Sequence, residues 1–564
     1  MRRALILVFT ALLVIGILAP MARTDDRAGG LALVKVSGRH QASLIANNFD
    51  ETHRLIPGAV EVYLWPGDAD RLDAMGYEFE ITIADLWAHD RRLENQENLQ
   101  VVPMPGPDMT DYRRLADYNA EMADLADKNP KLVKLLELPN PSLEGRTIYG
   151  LEIAANVKEK VNDGRPTFYV DGIHHAREWP AAEYPMIFAH YLVEGYGKNP
   201  NVTSLLNTER VIVVPVVNVD GFNFSRESVL GAQANIDAAH GTACGVAHCA
   251  AYWRKNRRSY TGVTVPVVQT NPDAYGVDPN RNYSYHWGGG GSNSGVAVGP
   301  THVPQPIADQ TNRGAAPFSE PESRNVEQTV LRRNVTSLIT NHTSGNLVLR
   351  PWGDTYKHAP DEKYLFTLGA AMSKAMGGYQ NIKGIQLYIT TGTTSEWAYG
   401  VLGIPSYTFE HGQSFHPPYT DCEAAAKGRA ATCVAQQFPG VMKAYVLAAQ
   451  AGLDRAMHGV IEGEIVDSKG NPVAAKLTLS KKVPTPLAPE NPLGGKSFKE
   501  VVKMSLQVDR AFVWHVPAST RPVMVEKGKT ETYTLTITAP GFEKQTLTLL
   551  VKKGQVLDLG TIRL

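Results

Sequence analysis

The stretch DGIHHAREW, residues 171–179, places two adjacent histidines close to an arginine and a glutamate. His175 and Glu178 stand three residues apart, a spacing at which an imidazole and a carboxylate can bind one metal ion. His174 has Arg177 at the same spacing, and a guanidinium cannot ligate a metal, so His174 is interpreted as a packed or supporting residue. Because the chain contains 16 histidines, roughly one such His–Glu pair is expected by chance, and the pair needs further support.

A catalytic zinc site needs a third protein ligand and an open coordination position for water. The best later candidate is His342 in SLITNHTSG, where it ends an apolar run and could project from the end of a strand. Taken alone, His342 fits a buried histidine with satisfied hydrogen bonds equally well. The surrounding sequence therefore has to decide between a metal site and ordinary packing.

From Tyr112 to about Leu453, short apolar runs alternate with segments of helical spacing. RVIVVPVVNV is apolar almost throughout, as expected for a strand that is covered on both faces. PTFYVDG is another such strand, and AAEYPMIFAHYLVEGYG after it has apolar residues at helical intervals. This order predicts an α/β domain with a mixed β-sheet flanked by helices. Side chains at the ends of its strands would then meet at one edge of the sheet.

Regions of different character flank this segment, and 564 residues are compatible with about two to four domains. Residues 31–85 alternate short strand-like and helix-like runs, which predicts a small α+β domain. The stretch VVPMPGPD, residues 101–108, is typical of a linker. Residues 457–564 contain short alternating strands separated by Gly, Asn and Pro, which predicts an all-β sandwich. The proline-rich KKVPTPLAPENPLGGK inside it is predicted to be a long loop.

Composition and the first residues restrict partners and location. The chain has 56 Lys and Arg against 57 Asp and Glu, so no global field attracts nucleic acid or an anionic membrane. Arg2 and Arg3 precede the apolar run ALILVFTALLVIGILAP, and residues 1–23 are predicted to be a secretory signal peptide. An uncleaved membrane anchor is the alternative, since about 17 apolar residues lie at the short limit of a membrane span. We expect a secreted or periplasmic protein without stable membrane association after signal cleavage; the oligomeric state is left open.

Four cysteines are consistent with an oxidising compartment. Cys244 and Cys249 lie in CGVAHC, and Cys422 and Cys433 lie in CEAAAKGRAATC. Because each pair lies within one short segment, local pairing is favoured among the possible disulfide arrangements. A second metal site around Cys244, His248 and Cys249 is the alternative, but it lacks a complete set of four ligands nearby.

Further motifs follow one another along the chain. They are SLEGR at residues 142–146, GIHHAREW at 172–179, NVDGF at 218–222, YWRKNRR at 252–258, VDPNRNY at 277–283, PFSEPES at 317–323, NHTSG at 341–345, LYITTGTTSEWAYG at 387–400 and YTFEHG at 407–412. Together they resemble the zinc metallocarboxypeptidases, the family of pancreatic carboxypeptidases A and B, over a catalytic domain of residues 110–453. Residues 31–90 are similar to the family's pro-segment, with a linker at 91–109, and residues 457–564 are similar to a transthyretin-like β-sandwich found behind some members.

The resemblance implies a role for each matching residue. The metal ligands for one Zn²⁺ ion would be His175, Glu178 and His342. The catalytic residues would be Glu410 as general base and Arg254 facing the developing oxyanion. The substrate-binding residues would be Asn280 and Arg281 as the clamp for the terminal carboxylate, Tyr388 as the tyrosine that closes over substrate, Arg177 beside the metal ligands, and Ser395 at the base of the pocket for the terminal side chain.

We therefore expect a secreted zinc-dependent exopeptidase that hydrolyses the C-terminal peptide bond of peptides or proteins. Because Ser395 is small and neutral, neutral or hydrophobic terminal residues should be preferred, whereas Glu396 would favour Lys and Arg if it turned inward. The alternatives are a cell-wall peptide carboxypeptidase on the same scaffold, a metal-free pseudoenzyme that binds peptides without hydrolysing them, and an adhesion protein whose binding module is the C-terminal sandwich. No ligand position and no catalytic position of the family is lost, which argues against the pseudoenzyme.

Overall fold

Three successive regions of the chain form β-sheets. The computed structural model of the protein describes residues 31–38, 43–44, 49–65, 67–95, 106, 111–157, 163–228, 250–258, 276–289, 310–420, 433–517, 521–527 and 529–564. The predicted signal peptide at residues 1–23 lies outside these residues, and so does most of the predicted linker. Within the described ranges, none of the helices is both long and apolar enough to cross a membrane.

The N-terminal region is a small α+β unit. Its strands are β1 (Ala32–Ser37), β2 (Asp50–Ile56), β3 (Ala59–Leu64) and β4 (Phe79–Ile83), and its helices are α1 (Asp68–Ala74) and α2 (Leu86–Asn95). The antiparallel sheet has the order β2-β3-β1-β4. Val34, Val36, Val62 and Leu72 form much of its small core. α2 continues to Asn95 with the helix formers Arg, Leu and Glu, so the first residues of the predicted linker 91–109 are helical. The linker itself stays a prediction.

The central region is built on one eight-stranded mixed sheet. Its strands are β5 (Val133–Glu137), β6 (Tyr149–Ile153), β7 (Thr167–Gly172), β8 (Arg210–Val214), β9 (Val335–Thr343), β10 (Leu347–Arg350), β11 (Gln380–Lys383) and β12 (Ser406–His411). Their order in the sheet is β11-β10-β12-β9-β7-β8-β6-β5. The neighbouring strands β12, β9, β7 and β8 are parallel, so their carboxyl ends lie at the same edge.

Helices cover both faces of this sheet. They are α3 (Leu115–Lys128), α4 (Pro180–Gly195), α5 (Pro200–Thr208), α6 (Val219–Ser228), α7 (Pro321–Arg332), α8 (Glu362–Ala375), α9 (Gly384–Leu387), α10 (Thr394–Leu402) and α11 (Val434–Gly452), with a 3-10 turn at Pro279–Arg281. Every residue of β7, β8 and β9 is buried, which explains the apolar runs FYV in β7 and VIVV in β8. β9 also buries polar side chains, among them Thr336, Ser337 and Thr340. The predicted α/β class with a mixed sheet is confirmed.

The C-terminal region is all-β, as predicted. Its strands are β13 (Gly459–Val466), β14 (Ala475–Pro486), β15 (Ser497–Val508), β16 (Ala511–Val516), β17 (Glu531–Thr538), β18 (Gln545–Val551) and β19 (Val556–Arg563), and it includes the short helix α12 (Pro522–Glu526). One sheet has the order β16-β13-β19 and the other β15-β14-β17-β18. Leu477, Leu479, Trp514 and Ile537 are among the side chains buried in its core.

Part of the segment predicted to be a long loop is strand instead. β14 stays paired with β15 as far as Pro486, but it pairs with β17 only up to Ser480. Beyond Ser480 a proline therefore removes no hydrogen bond to β17, and Pro484 and Pro486 are exposed there. The loop prediction was wrong because it weighed the prolines and overlooked the alternating buried side chains, such as Val483, between them.

Glu500 of β15 connects the sandwich to the central region. Its buried carboxylate accepts hydrogen bonds from Nε1 of Trp397 at 3.0 Å, from Oγ1 of Thr485 at 2.7 Å and from the hydroxyl of Ser284. Trp397 lies on α10, the helix that also carries Ser395. The sandwich thus supports the helix that holds the predicted pocket residue.

Candidate active site

The predicted metal ligands lie at the ends of two adjacent parallel strands. His175 and Glu178 are on the turn that follows β7 and precedes α4. His342 is near the end of β9, where Gly172 of β7 is opposite Asn341. Because the two strands run in the same direction, their carboxyl ends bring the three side chains to one edge of the sheet.

The three side chains converge on one point. Nδ1 of His175 lies 2.7 Å from Oε1 of Glu178, and Nδ1 of His342 lies 2.8 Å from Oε2. One ligand atom from each residue lies within 4.8 Å of the others, and all three residues are buried. Two imidazole nitrogens and a carboxylate oxygen form the donor set of a catalytic zinc site, so these residues fit a zinc ion.

Both imidazoles are in their neutral form at neutral pH. Burial, together with the nearby Arg254, lowers the pKa of His342 to about 3. Burial and then Arg254 also lower the pKa of His175. A neutral imidazole offers a lone pair, which metal binding requires.

Asp278 is a central residue of the site that the sequence reasoning did not single out. Its Oδ1 lies 3.1 Å from Nε2 of His175, and its Oδ2 accepts hydrogen bonds from Nε and Nη2 of Arg254 at 3.1 and 2.9 Å. Burial opposes its ionisation, but Arg254, His175 and Arg281 hold the pKa of Asp278 well below its usual range. A carboxylate on the far ring nitrogen fixes the tautomer of a ligating histidine. The sequence evidence that could have identified Asp278 is its position in VDPNRNY, two residues before Asn280 of the predicted clamp.

Glu410 is adjacent to the metal ligands. It lies on β12 directly opposite His342 in the parallel register of β12 and β9. Burial and then the carboxylate of Glu178 raise the pKa of Glu410 well above its usual range, against the opposing charges of Arg254 and Arg281. A carboxylate with a raised pKa can accept a proton efficiently near neutral pH.

The predicted clamp lies on the buried 3-10 turn that Asp278 caps. Oδ1 of Asp278 accepts a hydrogen bond from the main-chain N–H of Asn280 at 2.8 Å. Nη2 of Arg281 lies 3.5 Å from Oη of Tyr388. Burial raises the pKa of Tyr388 to about 12, so its phenol is neutral and can donate a hydrogen bond. Asn280, Arg281, Tyr388, His175 and Glu410 all line one pocket.

Besides the neutral side chains of Ser395 and Thr408, Arg350 and two leucines also line this pocket. Oγ of Ser395 lies 3.0 Å from Oγ1 of Thr408, and both residues line the pocket. Glu396 also lines it, but its carboxylate accepts a hydrogen bond from the main-chain N–H of Gly353. Burial, followed by the charge of Asp354, raises the pKa of Glu396 well above its usual range.

His174 packs behind the ligand cluster. Its Nε2 lies 2.8 Å from Oη of Tyr283 and 3.0 Å from Oγ1 of Thr394. The side chain is fully buried. These contacts match the interpretation of His174 as a packed residue.

Arg177 is held by the N-terminal unit. Asp50 of β2 contacts both of its terminal nitrogens, with Nη2 donating to Oδ1 at 2.6 Å. The ring of Phe415 lies against the guanidinium, 4.3 Å from its carbon to the ring centroid. Nearby, the hydroxyl of Ser344 donates to the carbonyl of Thr52 at 3.2 Å. The start of β2 therefore lies against residues that surround the metal site.

Of the cysteines predicted to form disulfides, Cys433 lies within the described residues. It is buried and disulfide-bonded. Cys244, Cys249 and Cys422 lie outside the described residues, as does His248 of the alternative metal site. The predicted pairing therefore stays a prediction.

Comparison with known protein families gives one match over the central region. The family model described as zinc carboxypeptidase matches residues 118–431, more than half of the chain. Zinc carboxypeptidase A 1 of Anopheles gambiae is 28% identical over 316 residues, covering 54% of this chain and 61% of the relative. Carboxypeptidase B of Homo sapiens is 24% identical over 307 residues, covering 53% of this chain and 62% of the relative. The matches thus span about three fifths of the length of these relatives.

Solved structures show the same fold. Carboxypeptidase A from Helicoverpa armigera has a TM-score of 0.57 at 20% identity, covering 75% of this chain and 98% of that chain. Thrombin activatable fibrinolysis inhibitor has a TM-score of 0.54 at 19% identity, covering 75% of this chain and 99% of that chain. At this identity the likeness concerns the fold of the chain.

Proposed function

Because the chain belongs to the zinc carboxypeptidase family, we propose that it is a zinc-dependent exopeptidase that hydrolyses the C-terminal peptide bond of its substrates. The observation that carries this proposal is a single pocket lined by His175, Glu410 and Arg281, with His175 part of the buried His–Glu–His cluster. A metal site, a base and a cation for a carboxylate are the groups that the reaction needs. Secretion through residues 1–23 stays a prediction, since those residues lie outside the described ranges.

His175, Glu178 and His342 would hold the zinc ion. Zinc, when bound, polarises the scissile carbonyl and lowers the pKa of water to about 7. Glu410 accepts a proton from the attacking water and passes it to the nitrogen of the leaving amine. Asp278 orients His175 through the contact at Nε2, which keeps Nδ1 directed at the other ligands.

Arg254 stabilises the negative charge that develops on the carbonyl oxygen. Its guanidinium is buried and fixed by two hydrogen bonds to Asp278, so it needs no reorganisation during the reaction. Preorganised donors of this kind contribute about 3–4 kcal/mol in comparable sites.

The clamp makes the enzyme act from the chain end. Arg281 and Asn280 can bind the terminal carboxylate through paired hydrogen bonds. Nη1 of Arg281 donates to the carbonyl of Asn280 at 2.9 Å, which orients the guanidinium. Tyr388 lies against Arg281 and can close over bound substrate. An internal peptide bond offers no carboxylate to this pair, so the terminal bond is selected.

We further propose that the N-terminal unit covers the cleft in the full-length chain. Asp50 engages Arg177 at the cleft, as described above. Glu51, the next residue, is 7% exposed, and its negative charge contributes to the raised pKa values of both Tyr388 and Glu410. Acidic side chains of β2 therefore lie where a peptide substrate would approach the site.

Asp50→Asn should raise the activity of the full-length protein several-fold. Removing one charge from a buried ion pair is strongly unfavourable, because Arg177 then stays buried without its counter-ion. The N-terminal unit should therefore leave the cleft more often. The measurement is kcat/KM of full-length protein, and Glu80→Gln, an exposed carboxylate in the same unit, is the control.

Cleavage between the units should raise kcat/KM of the wild type in the same way. Limited proteolysis within residues 96–105, with the cut located by mass spectrometry, makes this cleavage. If the cut wild type and the Asp50→Asn variant are no more active than the intact protein, the N-terminal unit is a structural domain and not a cover.

The side chains that line this pocket lead us to propose that the enzyme prefers substrates whose C-terminal residue has a neutral side chain. Ser395 and Thr408 offer hydroxyls, and the carboxylate of Glu396 is engaged by the main-chain N–H of Gly353. A terminal Lys or Arg would enter without a counter-charge and would lose hydration.

Ser395→Asp should shift the preference towards terminal Arg by at least about tenfold relative to terminal Leu. The introduced carboxylate would supply the missing charge in a buried site, where ion pairs discriminate strongly. The measurement is the ratio of kcat/KM for matched peptides ending in Arg, Leu, Phe and Glu, with Ser395→Asn as the neutral control of equal size. A wild type that already prefers terminal Arg strongly would contradict the assignment of the pocket.

A further inference from the structure

A second group of buried polar side chains lies at the other end of the central sheet. Glu209 follows the last residue of α5 and precedes β8. Thr336 and Ser337 are at the start of β9. Thr336 and His342 stand near opposite ends of β9, about 20 Å apart at the rise of a strand. The group is therefore separate from the catalytic edge.

The oxygens of these three side chains lie close together beside the α-carbon of Gly452. Glu209, Thr336 and Ser337 are 0%, 2% and 2% exposed. Within the described part of the chain, neither carboxylate oxygen nor either hydroxyl has a hydrogen-bond partner. A Cβ atom placed on Gly452 would lie 2.4 Å from Oε1 of Glu209, 2.9 Å from Oγ1 of Thr336 and 3.1 Å from Oγ of Ser337. A residue larger than glycine at position 452 would collide with these oxygens.

An irregularity in β9 explains how two consecutive residues contribute to the group. Successive side chains of a regular strand point to opposite faces of the sheet. Here Thr167 of β7 pairs with Val335 and Phe168 pairs with Ser337, so Thr336 is an extra residue in the register. A bulge of this kind re-aims a side chain. It brings the hydroxyls of Thr336 and Ser337 to the same place.

The electrostatic surroundings favour a positive charge at this point. Glu209 caps the C-terminal end of α5, and Gly452 is the last residue of α11. The C-terminal end of a helix carries partial negative charge, so both helices disfavour a bare carboxylate between them. Burial raises the pKa of Glu209 well above its usual range, and no charged group of the described chain offsets that effect.

We propose that Glu209, Thr336 and Ser337 form a binding site for a monovalent cation, Na⁺ or K⁺. The cation would neutralise the carboxylate and interact favourably with both helix ends. One carboxylate with two neutral hydroxyls balances a single positive charge, whereas calcium sites commonly combine several carboxylates among six to eight oxygens. Zinc prefers nitrogen and sulfur donors, which these three side chains lack. The bound cation would stabilise the start of β9, the strand that carries His342 at its other end.

Thermal unfolding of the full-length protein in NaCl, KCl and choline chloride at equal ionic strength tests the site. A ligand that binds only the folded state raises the unfolding temperature. We expect the wild type to unfold a few degrees higher in NaCl or KCl than in choline chloride. The salt that gives the higher unfolding temperature identifies the bound ion. Glu209→Gln and Thr336→Val should lose this difference, whereas Glu137→Gln, an exposed carboxylate on β5, should keep it.

Crystals grown in RbCl provide a measurement that does not depend on the folding of a variant. Anomalous density between Glu209 and Thr336 is expected. Equal unfolding temperatures in the three salts, or a cation-specific gain that Glu209→Gln retains, would overturn the proposal. A larger gain in CaCl₂ that requires Glu209 would overturn the assignment to a monovalent ion.

Discussion

Replacing Glu410 with glutamine should lower kcat by about 10²- to 10⁴-fold, the usual contribution of a general base. The substitution preserves size and removes proton acceptance. His175, Glu178 and His342 are untouched, so one zinc ion per chain should still bind. The effect should appear in kcat and kcat/KM alike, because proton transfer belongs to the transition state and not to substrate binding. The measurement is turnover of a blocked dipeptide together with metal content by atomic emission.

The pH profile of kcat/KM adds a second readout for Glu410. Because its pKa is raised, the wild type should lose activity as pH falls through a value above the usual range of glutamate. That limb should be absent from the residual activity of Glu410→Gln. Glu543→Gln, an exposed carboxylate of the sandwich, is the control and should behave as wild type. Activity of Glu410→Gln within a few-fold of wild type would remove Glu410 from the role of base.

His342→Ala should lose both the metal and nearly all activity. His342 supplies one of two imidazole nitrogens in the cluster, and its Nδ1 lies 3.1 Å from that of His175. Without it, His175 and Glu178 alone would remain, fewer ligands than catalytic zinc sites use. The metal stabilises the transition state by several kcal/mol, so we expect the activity to fall about 10³-fold or more.

Metal content and turnover of the His342→Ala variant should fall together. His358→Ala is the matched control, since the side chain of His358 is 78% exposed. Added zinc should restore little activity to His342→Ala, whereas chelated wild type should recover on zinc addition. A His342→Ala protein that keeps stoichiometric zinc and turnover would show that the ligand set is wrong.

The fold class could be predicted from the sequence because its evidence is local. β7 and β8 are buried on both faces, so each contains an uninterrupted apolar run. The ligand cluster was also within reach of sequence reasoning. His175 and Glu178 share one turn, and His342 lies near the end of β9, at the same sheet edge.

Other features depend on distant parts of the chain and have no local signal. Asp50 reaches Arg177 across 127 residues of sequence, and an aspartate at the start of a strand does not indicate such a partner. Glu209 and Thr336 are brought together by helix ends and by a bulge that alters the alternation of β9. β14 can extend through its prolines because its pairing with β17 ends at Ser480, whereas its pairing with β15 continues to Pro486.

We propose that Arg281 selects a free C-terminal carboxylate while the His–Glu–His cluster supports zinc-dependent hydrolysis. The most direct test is the release of the last residue from N-blocked dipeptides and from their C-terminal amides, each with and without a zinc chelator. We expect rapid release from the free acids and at least about 100-fold slower release from the amides, because the bidentate carboxylate contact is lost. We expect no release from either with chelator. Equal rates for acids and amides, or hydrolysis that persists with chelator, would contradict this proposal.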